Sequence, residues 1–480
     1  MAYKHRIETE EREINVTANV AGTSGLQVII GAAPVNKASG NVVNTPVLAE
    51  SASEAMEKLG YSDDFDKYPL CASMSAMSTF RVSPVIFINV LDPARHKKDN
   101  AEKEYQVVSR AVTYNVEGVI GSTITVKNGE TALVKGTDYL VDFAGNYPII
   151  TLLKDGTAAE ATAIKIASSS IAPEAVTKED IIGGYDAETG VTKGLECIRQ
   201  VYPMFGMVPG LIVAPGWSQV PEVAAVMQAK TQLLNSAFDI FAVIDLDTET
   251  AKTYDKASAA KDEAGINNSN AVALWPRLNF AGKNVPYSVV WAAMTAYTDA
   301  QHNDLPYKSP SNELLNVSAA VLKDGTEVHL DQAQAEELNG NGIVTAINLE
   351  GWRSWGNRTA AYPNTENNKD SWIACRRMMN WYKNRFIRQY VGTIDNPNNP
   401  RQVENLVDSE NLFLNGLTAN GYIAGGKITY NEEENQLADV LAGDVVVDTE
   451  IAFWTPAKYI KNRIVFNPAL IQQAFENARA

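Results

Sequence analysis

The chain has 480 residues and a formal net charge of −16, from 57 acidic and 41 basic residues. Its apolar content of 45% and charged content of 20% are typical of a folded globular protein and exclude a disordered chain. A single core is not expected at this length, so the sequence predicts two to four domains. The acidic balance argues against broad binding of nucleic acid, because that function requires cations that face phosphate.

The cysteines and the apolar runs indicate where the protein is made. Cys71, Cys197 and Cys375 are far apart and odd in number, which suits neither a disulfide framework nor a zinc site. We therefore expect reduced, buried thiols. The longest apolar run, "LQVIIGAAPV", is about half the length that spans a membrane, and the first residues lack the apolar core of a signal peptide. We expect a protein that is made in a cytoplasm and does not insert into a membrane.

The first part of the chain predicts an arm followed by an α/β segment. Residues 1–24 are polar, and Ile14, Val16 and Val20 alternate weakly, which predicts one extended strand that must pair with something else. Residues 25–104 contain a buried strand "GLQVIIGAAPV", helices in "SASEAMEKLGY" and "PLCASMSAMSTF", and a second strand "VSPVIFINVL". We interpret this segment as the N-terminal part of a core domain.

The middle of the chain predicts two further domains. Residues 105–178 contain short β-type runs separated by turn residues, with a hairpin signal at Asn128-Gly129, and indicate a small, inserted, sandwich-like all-β domain. Residues 179–350 alternate apolar strands such as "PGLIVAPG" and "FDIFAVIDL" with helices. Several β–α units in a row predict a parallel sheet flanked by helices.

The last part of the chain predicts an α+β domain and a second arm. Residues 351–460 contain the helix "SWIACRRMMNWYKNRFIRQY" and the strands "KITYNEE" and "DVVVDTEIAFWTPAKYIKNRIVF". Residues 461–480 form an amphipathic tail without a core of its own. Strand addition to a neighbouring copy would satisfy the backbone of both terminal arms, and frayed termini are the alternative.

A search for catalytic chemistry gives little. The histidines lie in no zinc-binding motif, and no nucleophile elbow, phosphate-binding loop or dinucleotide-binding glycine pattern occurs. The four histidines are His5, His96, His302 and His329. The sequence thus predicts no catalytic, cofactor-binding or metal-binding residue.

Two groups of residues nevertheless deserve a chemical test. His302 lies close to Asp299 and Asp304 in "AYTDAQHNDLPY", but a Ser–His–Asp site needs a third partner from elsewhere, and a polar helix end is the favoured interpretation. Asp245 and Asp247 follow an apolar strand, where α/β enzymes place catalytic acids. They serve equally well as turn and N-cap residues.

The helix at 371–390 carries five basic residues and no acid. At 100° per residue an apolar stripe, the predicted core face, collects six side chains: Trp372, Cys375, Met379, Tyr382, Phe386 and Tyr390. Four others gather on the opposite side, which we expect to face outward: Arg377, Trp381, Arg385 and Arg388. A Trp surrounded by Arg is typical of protein contact surfaces. The alternative is that carboxylates of this chain neutralise the helix.

Several segments resemble the tail sheath proteins of contractile phages and phage-tail-like particles. The run "SWGNRT" at 354–359, followed by Arg376-Arg377, is similar to a motif that leads into an Arg-Arg helix in that family. The stretch "VPYSVVWAAMTAYTDAQHNDLPYKSPSNELLNV", the closing "VVVDTEIAFWTPAKYIKNRIVF" and the opening "GLQVIIGAAPVN" also resemble family segments, in the family's order.

The resemblance implies a structural protein rather than an enzyme. Sheath subunits form stacked six-membered rings around a tail tube, and their arms pair with strands of adjacent subunits. The assembly contracts and drives the tube through a cell envelope. The middle domain is expected to be subtilisin-like without a catalytic triad, and the N- and C-terminal parts to form one α+β core. The implied partners are further copies, a tail tube protein, and baseplate and terminator proteins, with no cofactor and no nucleic acid.

The resemblance also assigns roles to residues. The Arg-Arg helix of the family faces the tube, so the predicted tube contacts are Arg376, Arg377, Trp381, Lys383, Arg385 and Arg388. The predicted inter-subunit arm residues are Ile14, Val16, Val20, Ile464 and Phe466. The expected location is a virion tail or phage-tail-like particle that is assembled in a bacterial cytoplasm. A cytoplasmic α/β hydrolase and the sheath of a secretion or injection system are the alternatives.

Overall fold

The computed structural model describes residues 24–40, 42–397 and 399–477. The predicted arm residues Ile14, Val16 and Val20 lie outside the described residues. In chain order the strands are β1 (Gln27–Gly31), β2 (Pro46–Ala49), β3 (Val85–Asn89), β4 (Lys97–Gln106), β5 (Ala111–Thr113), β6 (Thr125–Asn128), β7 (Thr131–Ala132), β8 (Tyr139–Ala144), β9 (Tyr147–Leu152), β10 (Ala163–Ile171), β11 (Gly184–Tyr185), β12 (Thr192–Lys193), β13 (Leu211–Val213), β14 (Phe241–Asp245), β15 (Ala271–Leu274), β16 (Arg277–Phe280), β17 (Lys283–Val285), β18 (Ala319–Val321), β19 (Ile343–Asn348), β20 (Trp352–Trp355), β21 (Gly425–Tyr430) and β22 (Val447–Ala452).

The α-helices are α1 (Ala52–Leu59), α2 (Pro69–Phe80), α3 (Lys178–Ile182), α4 (Val201–Phe205), α5 (Pro221–Ala229), α6 (Tyr254–Glu263), α7 (Tyr287–Ala300), α8 (Gln332–Gly340), α9 (Asn368–Ser371), α10 (Ile373–Tyr390), α11 (Pro400–Ala419), α12 (Leu437–Ala442) and α13 (Ala469–Asn477). Short 3₁₀ helices lie at Val35–Lys37, Gly121–Thr123, Pro173–Ala175, Gly194–Gln200 and Val391–Thr393. Among the residues that the structure describes, no helix is long and apolar enough to cross a membrane.

The central sheet has eight strands in the order β2-β3-β1-β13-β14-β15-β19-β20. The six inner strands run parallel, and β2 and β20 are antiparallel at the edges. Strands β1 and β14 are buried along their whole length, as expected for a parallel sheet that helices cover. Helices α2, α5 and α7 contact these strands. The mixed α/β, multidomain organisation predicted from the sequence is confirmed.

The predicted boundary between residues 25–104 and residues 179–350 does not hold. Strand β1 pairs in parallel with β13, with Gln27 opposite Leu211, so the two segments share one sheet. Their buried residues also belong to one continuous hydrophobic core. The rhythm of strands and helices reveals β–α units, but it does not reveal which strands become neighbours across an insertion. The N-terminal part thus packs with the middle segment as well as with β20 and α10 of the C-terminal part, rather than with the C-terminal part alone as expected.

The inserted β module spans β4 to β10, from Lys97 to Ile171. Its two sheets have the orders β4-β10-β6-β7 and β5-β9-β8. They enclose a separate core that includes Tyr114, Ile150 and Ile166. The hairpin at Asn128-Gly129 is confirmed: Asn128 pairs with Thr131, and Gly129 has a φ of 62°, which glycine adopts without strain.

The C-terminal unit, residues 373–452, consists of α10, α11, α12 and the antiparallel hairpin β21–β22. This unit forms a third hydrophobic core, to which Leu305 of the preceding segment also contributes. The buried members of this core are Leu305, Met378, Tyr382, Leu414, Leu417, Ile423 and Ile428. The predicted closing strand pairs only as far as Ala452. Residues 453–477, hereafter the tail, continue beyond it without a strand partner among the described residues and end in α13.

Candidate assembly site

Helix α10 lies between two cores. Ile373 and Ile387 pack with the core of the central sheet, whereas Met378 and Tyr382 pack with the core of the C-terminal unit. A helix that two cores share is buried on more than one side. The predicted core face is right for Trp372, Cys375 and Tyr382, which are buried. The opposite face is where the structure departs from the sequence prediction.

Arg377 does not face outward: it is only 3% exposed. Its Nη1 donates to Oδ1 of Asp299 at 3.0 Å, and its Nη2 donates to Oδ2 of the same carboxylate and to the carbonyl oxygen of Ser24 at 3.0 Å. Asp299 is 2% exposed. This is a bidentate, buried ion pair, in which each charge compensates the desolvation of the other.

Arg376 is buried as well. Its Nη1 donates to Oδ1 of Asp370 at 3.0 Å, and its Nε and Nη2 donate to Oδ1 of Asn380 at 3.0 and 2.8 Å. The predicted tube contact of Arg376 and Arg377 is wrong, because neither guanidinium reaches the surface of the subunit. A helical wheel shows the periodicity of α10 alone and cannot show acids that other elements bring to it.

Two further cations of α10 have internal partners. Lys383 pairs with the buried carboxylate of Asp239, and Arg385 pairs with Glu410. The guanidinium of Arg385 also lies 3.6 Å from the ring centroid of Phe413, in a cation–π contact. The alternative stated above therefore holds for Arg376, Arg377, Lys383 and Arg385, each of which is paired with a carboxylate of this chain.

Glu410 is the most deeply buried acid of the C-terminal unit, at 0% exposed. Its Oε2 accepts from Arg385 and, at 2.8 Å, from the hydroxyl of Tyr390. Burial, together with the hydrogen bond to Glu410, raises the pKa of Tyr390 to about 12, so its hydroxyl remains a donor. Trp381 is half-buried and its ring centroid lies 6.2 Å from that of Phe413, so it packs inside the unit.

Arg388 is the exception among the basic residues of α10. It is exposed, and no carboxylate of the described residues lies within ion-pair distance of it. Val391 and Ile394, which follow shortly after the helix, are 55% and 70% exposed. The C-terminal end of α10 thus presents a cation beside two apolar side chains. This composition fits a protein contact.

The hairpin β21–β22 has one edge that a side chain covers. Asn411 of α11 donates from Nδ2 to the carbonyl of Ile428 at 2.9 Å and accepts at Oδ1 from its N–H at 3.0 Å. Ile428 therefore directs its backbone groups away from β22, and its partner Thr449 directs its own away from β21. No described residue bonds to the outward backbone groups of Thr449. The outer edge of β22 is open to a further strand.

The hairpin face away from the core carries Asp448 and Glu450, with Lys427 directly across from Glu450. An open groove is lined by the carboxylates of Glu432, Glu433, Asp448 and Glu450, and no Lys or Arg lies among its lining residues. The other face is covered: Val447 and Ile451 pack with the core of the C-terminal unit. The hairpin thus combines a covered face, an open strand edge and an acidic groove.

The tail exposes the apolar side chains that a core would bury. Ile464 and Phe466, the predicted arm residues, are 87% and 78% exposed. Large apolar residues that share this exposure are Trp454, Tyr459, Ile460, Val465, Leu470, Ile471 and Phe475. The extended part also carries three cations, Lys458, Lys461 and Arg463, and no acid. A segment of this kind has the composition of an interface rather than of a loop.

The residues considered for catalysis have structural partners instead. Asp245 is buried and accepts hydrogen bonds from Ser218 Oγ at 2.9 Å and from the Ser288 N–H at 2.8 Å. Burial raises its pKa. Asp299 is engaged by Arg377, and the Nδ1 of His302 lies 2.7 Å from the carbonyl oxygen of Thr298. Asp247 accepts from the Glu249 N–H in a turn.

The structure offers neither a metal centre among its described residues nor a reactive thiol. Within residues 24–40, 42–397 and 399–477, no group of His, Cys, Asp or Glu side chains is placed to hold a metal ion. The cysteines are free and buried, as predicted, and they are Cys71, Cys197 and Cys375. Burial raises the pKa of the Cys375 thiol to about 11. None of the three has the low pKa of a reactive thiol.

Several important residues were not found from the sequence. Ser24, Asp239 and Glu410 hold cations of α10, but nothing in their local sequence distinguishes them from ordinary polar residues. Asp299 was singled out, although as a possible catalytic acid. The sequence signal that could have predicted these partners is the group of basic residues in α10 without any acid. A buried helix of this composition needs acids from other elements.

The known proteins to which this chain is similar include tail sheath proteins of phages. No protein-family model matches the chain. A tail sheath protein of Burkholderia phage BcepMu is 26% identical over 468 residues, which cover 93% of this chain and 93% of that protein. The tail sheath protein of Escherichia phage P2 is 25% identical over 301 residues, which cover 60% of this chain and 70% of that protein.

Solved structures with a similar fold include chains of a baseplate and a contracted sheath, and a sheath tail protein. A chain of the anti-feeding prophage baseplate has a TM-score of 0.59 at 12% identity and covers 97% of this chain and 100% of its own. A chain of the contracted sheath of an extracellular contractile injection system has a TM-score of 0.56 at 15% identity, with 98% and 100% coverage. A sheath tail protein of Desulfitobacterium hafniense has a TM-score of 0.51 at 12% identity, with 89% and 93% coverage. These likenesses concern the fold.

Proposed function

We propose that this chain, which belongs to the contractile tail sheath family, polymerises around a tail tube and contracts to drive the tube through a target cell envelope. The observation that carries the proposal is the tail. It leaves Ile464 and Phe466 in solvent while the hairpin β21–β22 of the same chain offers an open strand edge. Both features are costly in a monomer and are resolved when copies join.

The mode of joining is strand addition between copies. An extended chain rises about 3.3 Å per residue, so residues 456–466 reach on the order of 35 Å from the body of the subunit. Backbone hydrogen bonds at the outer edge of β22 supply affinity, and the alternating side chains of the added strand supply specificity.

Charge supports the same pairing. Lys458, Lys461 and Arg463 in the tail match the groove carboxylates of the hairpin, which include Asp448 and Glu450. Complementary charges of this kind accelerate association and fix the register. Because the groove is open to solvent, the attraction weakens as salt rises. The N-terminal segment, with Ile14, Val16 and Val20, is the second linking arm in this proposal.

The contact with the tube is assigned to the end of α10. Arg388 is free to meet an acidic surface, and Lys383 is partly exposed although it pairs with Asp239. Arg376 and Arg377 are excluded by their burial. Trp381 and Arg385 hold the C-terminal unit together and set the position of the exposed end.

The remaining parts of the proposal concern the particle. Copies form six-membered rings that stack helically, and the stack meets baseplate and terminator proteins at its ends. The parallel-sheet domain is subtilisin-like in fold and non-catalytic, and the arrangement of Asp245 with Ser218 and Ser288 supports a structural role for its acid. The protein needs no cofactor and binds no nucleic acid. It is assembled in a bacterial cytoplasm and resides in a phage tail or phage-tail-like particle.

The direct test is electron microscopy of the purified full chain. We expect tubular polymers, and we expect a deletion of residues 1–20 to prevent them while a folded monomer remains. Monomers at every salt concentration and protein concentration would refute the proposal. A separate test uses Arg388→Glu, with Lys256→Glu on α6 as the control for charge. Co-sedimentation with a tail tube should fall in the first variant and not in the second.

The sheath of an injection system is a second candidate within the same class, because the similar folds include an anti-feeding prophage and an extracellular contractile injection system. Particles purified from producing cells distinguish the two candidates. Co-purifying DNA in a capsid favours the phage, and particles without a capsid favour the injection system. A cytoplasmic hydrolase is disfavoured, because His302 and Asp299 are engaged by other groups.

A further inference from the structure

A buried charge cluster lies at the start of the described chain. Ser24 is the first described residue, and its carbonyl oxygen accepts from Nη2 of Arg377 at 3.0 Å. Its hydroxyl donates to Oδ2 of Asp299 at 3.0 Å and lies 2.9 Å from the carbonyl oxygen of Asp304. The backbone and side chain of one residue are thus held by α7, the loop after it, and α10.

The path of the backbone at Gly25 is also restricted by close packing against α7. A Cβ at Gly25 would lie 2.9 Å from Cα and 3.0 Å from Cβ of Ala296 in α7. The chain therefore passes against the backbone of α7 so closely that only glycine fits. Directly afterwards, the carbonyl oxygen of Leu26 accepts from the N–H groups of Gly210 and Leu211 at 2.9 and 3.0 Å. We call Ser24, Gly25 and Leu26 the root.

We propose that Arg377 and Asp299 are positioning residues that anchor the root, so that a load on the N-terminal segment passes to the contact between α7 and α10. The chain from Ser24 to Arg377 spans 353 positions of sequence, so this bond ties the beginning of the chain to the C-terminal unit. The mechanical role rests on the proposed function, in which the N-terminal segment links neighbouring copies. The anchoring itself does not depend on it.

The geometry explains why a charged pair occupies this position. A bidentate Arg–carboxylate pair fixes both partners in direction, and the remaining donor capacity of the guanidinium reaches the Ser24 carbonyl. An apolar pair would fill the same volume but would offer no donor to that carbonyl. The ion pair therefore fixes the orientation of the Ser24 backbone at the root in addition to stabilising the subunit.

The test separates anchoring from folding by means of a matched pair of double variants. Arg377→Met with Asp299→Leu removes both charges and the donor to Ser24 while keeping similar volumes. Arg376→Met with Asp370→Leu removes the adjacent ion pair of α10, which does not touch the root. Gly25→Val is an independent variant that displaces the root sterically, and Ser24→Ala removes only the two hydroxyl contacts.

The first measurement is hydrogen exchange of the amides of Gly210 and Leu211, which donate to Leu26. We expect exchange at least about tenfold faster in the Arg377/Asp299 double variant and in Gly25→Val, because opening the root frees these amides. Ser24→Ala should give about a threefold increase. The Arg376/Asp370 double variant should match the unmodified protein. Unchanged exchange in both anchor variants would overturn the proposal.

The second measurement is the yield of sedimenting polymer from the full chain. The anchor variants should lose at least about fivefold in yield relative to the Arg376/Asp370 control, while fluorescence and circular dichroism report a folded monomer. If the unmodified chain does not polymerise, the proposed function fails and the exchange result still decides the anchor. If the Arg377/Asp299 variant does not fold, Ser24→Ala decides it instead, because it removes the hydrogen bond from the Ser24 hydroxyl to Asp299. Anchor variants that polymerise like the control would refute the role in load transfer.

Discussion

In the central sheet Val28, Ile30 and Val243 are entirely buried, whereas in the tail Ile464 and Phe466 are 87% and 78% exposed. The two regions draw on the same residue types. In the sheet, neighbours within the chain remove the apolar side chains from water, and this burial stabilises the subunit. For Ile464 and Phe466 in the tail no described neighbour does so. The same chemistry that folds one region therefore drives association in the other.

The polar residues differ in the same way between the two regions. Around α10, cations and acids are matched inside the subunit, as Arg377 with Asp299 and Arg385 with Glu410 show. In the tail and the hairpin, charges of opposite sign lie apart, with cations on the extended segment and acids in the groove. Ion pairs within the subunit help to determine its fold, whereas separated, complementary charges are available for pairing between copies.

The largest effect is expected from removing residues 456–480. The described part of this segment packs against no core of the subunit, so the free energy of unfolding should change by less than about 0.5 kcal/mol. Polymer formation should be lost completely. Urea unfolding and sedimentation of the same preparation measure both quantities. A truncated chain that still forms tubes would show that the tail is not a linking arm.

The opposite change is Ile30→Ala in the buried strand β1. Ile30 is 0% exposed, and the lost burial and the resulting cavity should lower the free energy of unfolding by about 2–5 kcal/mol. At a temperature where the variant stays folded, its polymers should have the normal appearance. Denaturant unfolding gives the first quantity and electron microscopy the second. Misassembled polymers would mean that the core also shapes the interface.

Much of the fold was predictable because local pattern determines it. The helix predicted in "PLCASMSAMSTF" is α2, and the buried strand in "VSPVIFINVL" contains β3. What failed was the placement of β1 beside β13, since sequence period does not encode which strands become neighbours. The candidate site was less predictable from the sequence than the fold. Arg377 has the position of an exposed residue on the helical wheel of α10, and only the remote Asp299 and Ser24 make its burial possible.

An intermediate effect is expected at Arg385 in α10. Replacing it by Met leaves the fully buried carboxylate of Glu410 without its cation, which should lower the free energy of unfolding by about 3 kcal/mol. Arg388→Met is the matched control on the same helix, three positions later. Arg388 is exposed, so its replacement should change stability by less than about 0.5 kcal/mol. Denaturant titrations of both variants decide the matter, and equal losses would contradict the assigned burial.

The smallest effect concerns Asp304, which lies beside the anchor. Burial, and secondarily the charge of Asp299, raises its pKa to about 6 from an ordinary value of 3.8. The folded state therefore binds a proton more tightly than the unfolded state does. The free energy of unfolding falls as the pH rises from about 4 to about 6, and the full penalty persists above that range. Because the side chain is only half-buried, the penalty is ~1 kcal/mol after allowance for solvent screening.

Asp304→Asn removes this penalty without disturbing the root. The Ser24 hydroxyl contacts the backbone carbonyl of residue 304, and the left-handed φ of 59° at this position suits Asn as well as Asp. At pH 8 the variant should be more stable than the unmodified chain by ~1 kcal/mol. At pH 4 the difference should vanish, because the native carboxyl is then protonated. Thermal unfolding at the two pH values measures the difference. A gain that is equal at both pH values would show that packing, and not the cost of ionising the partly buried Asp304 carboxyl, limits stability at this end of α7.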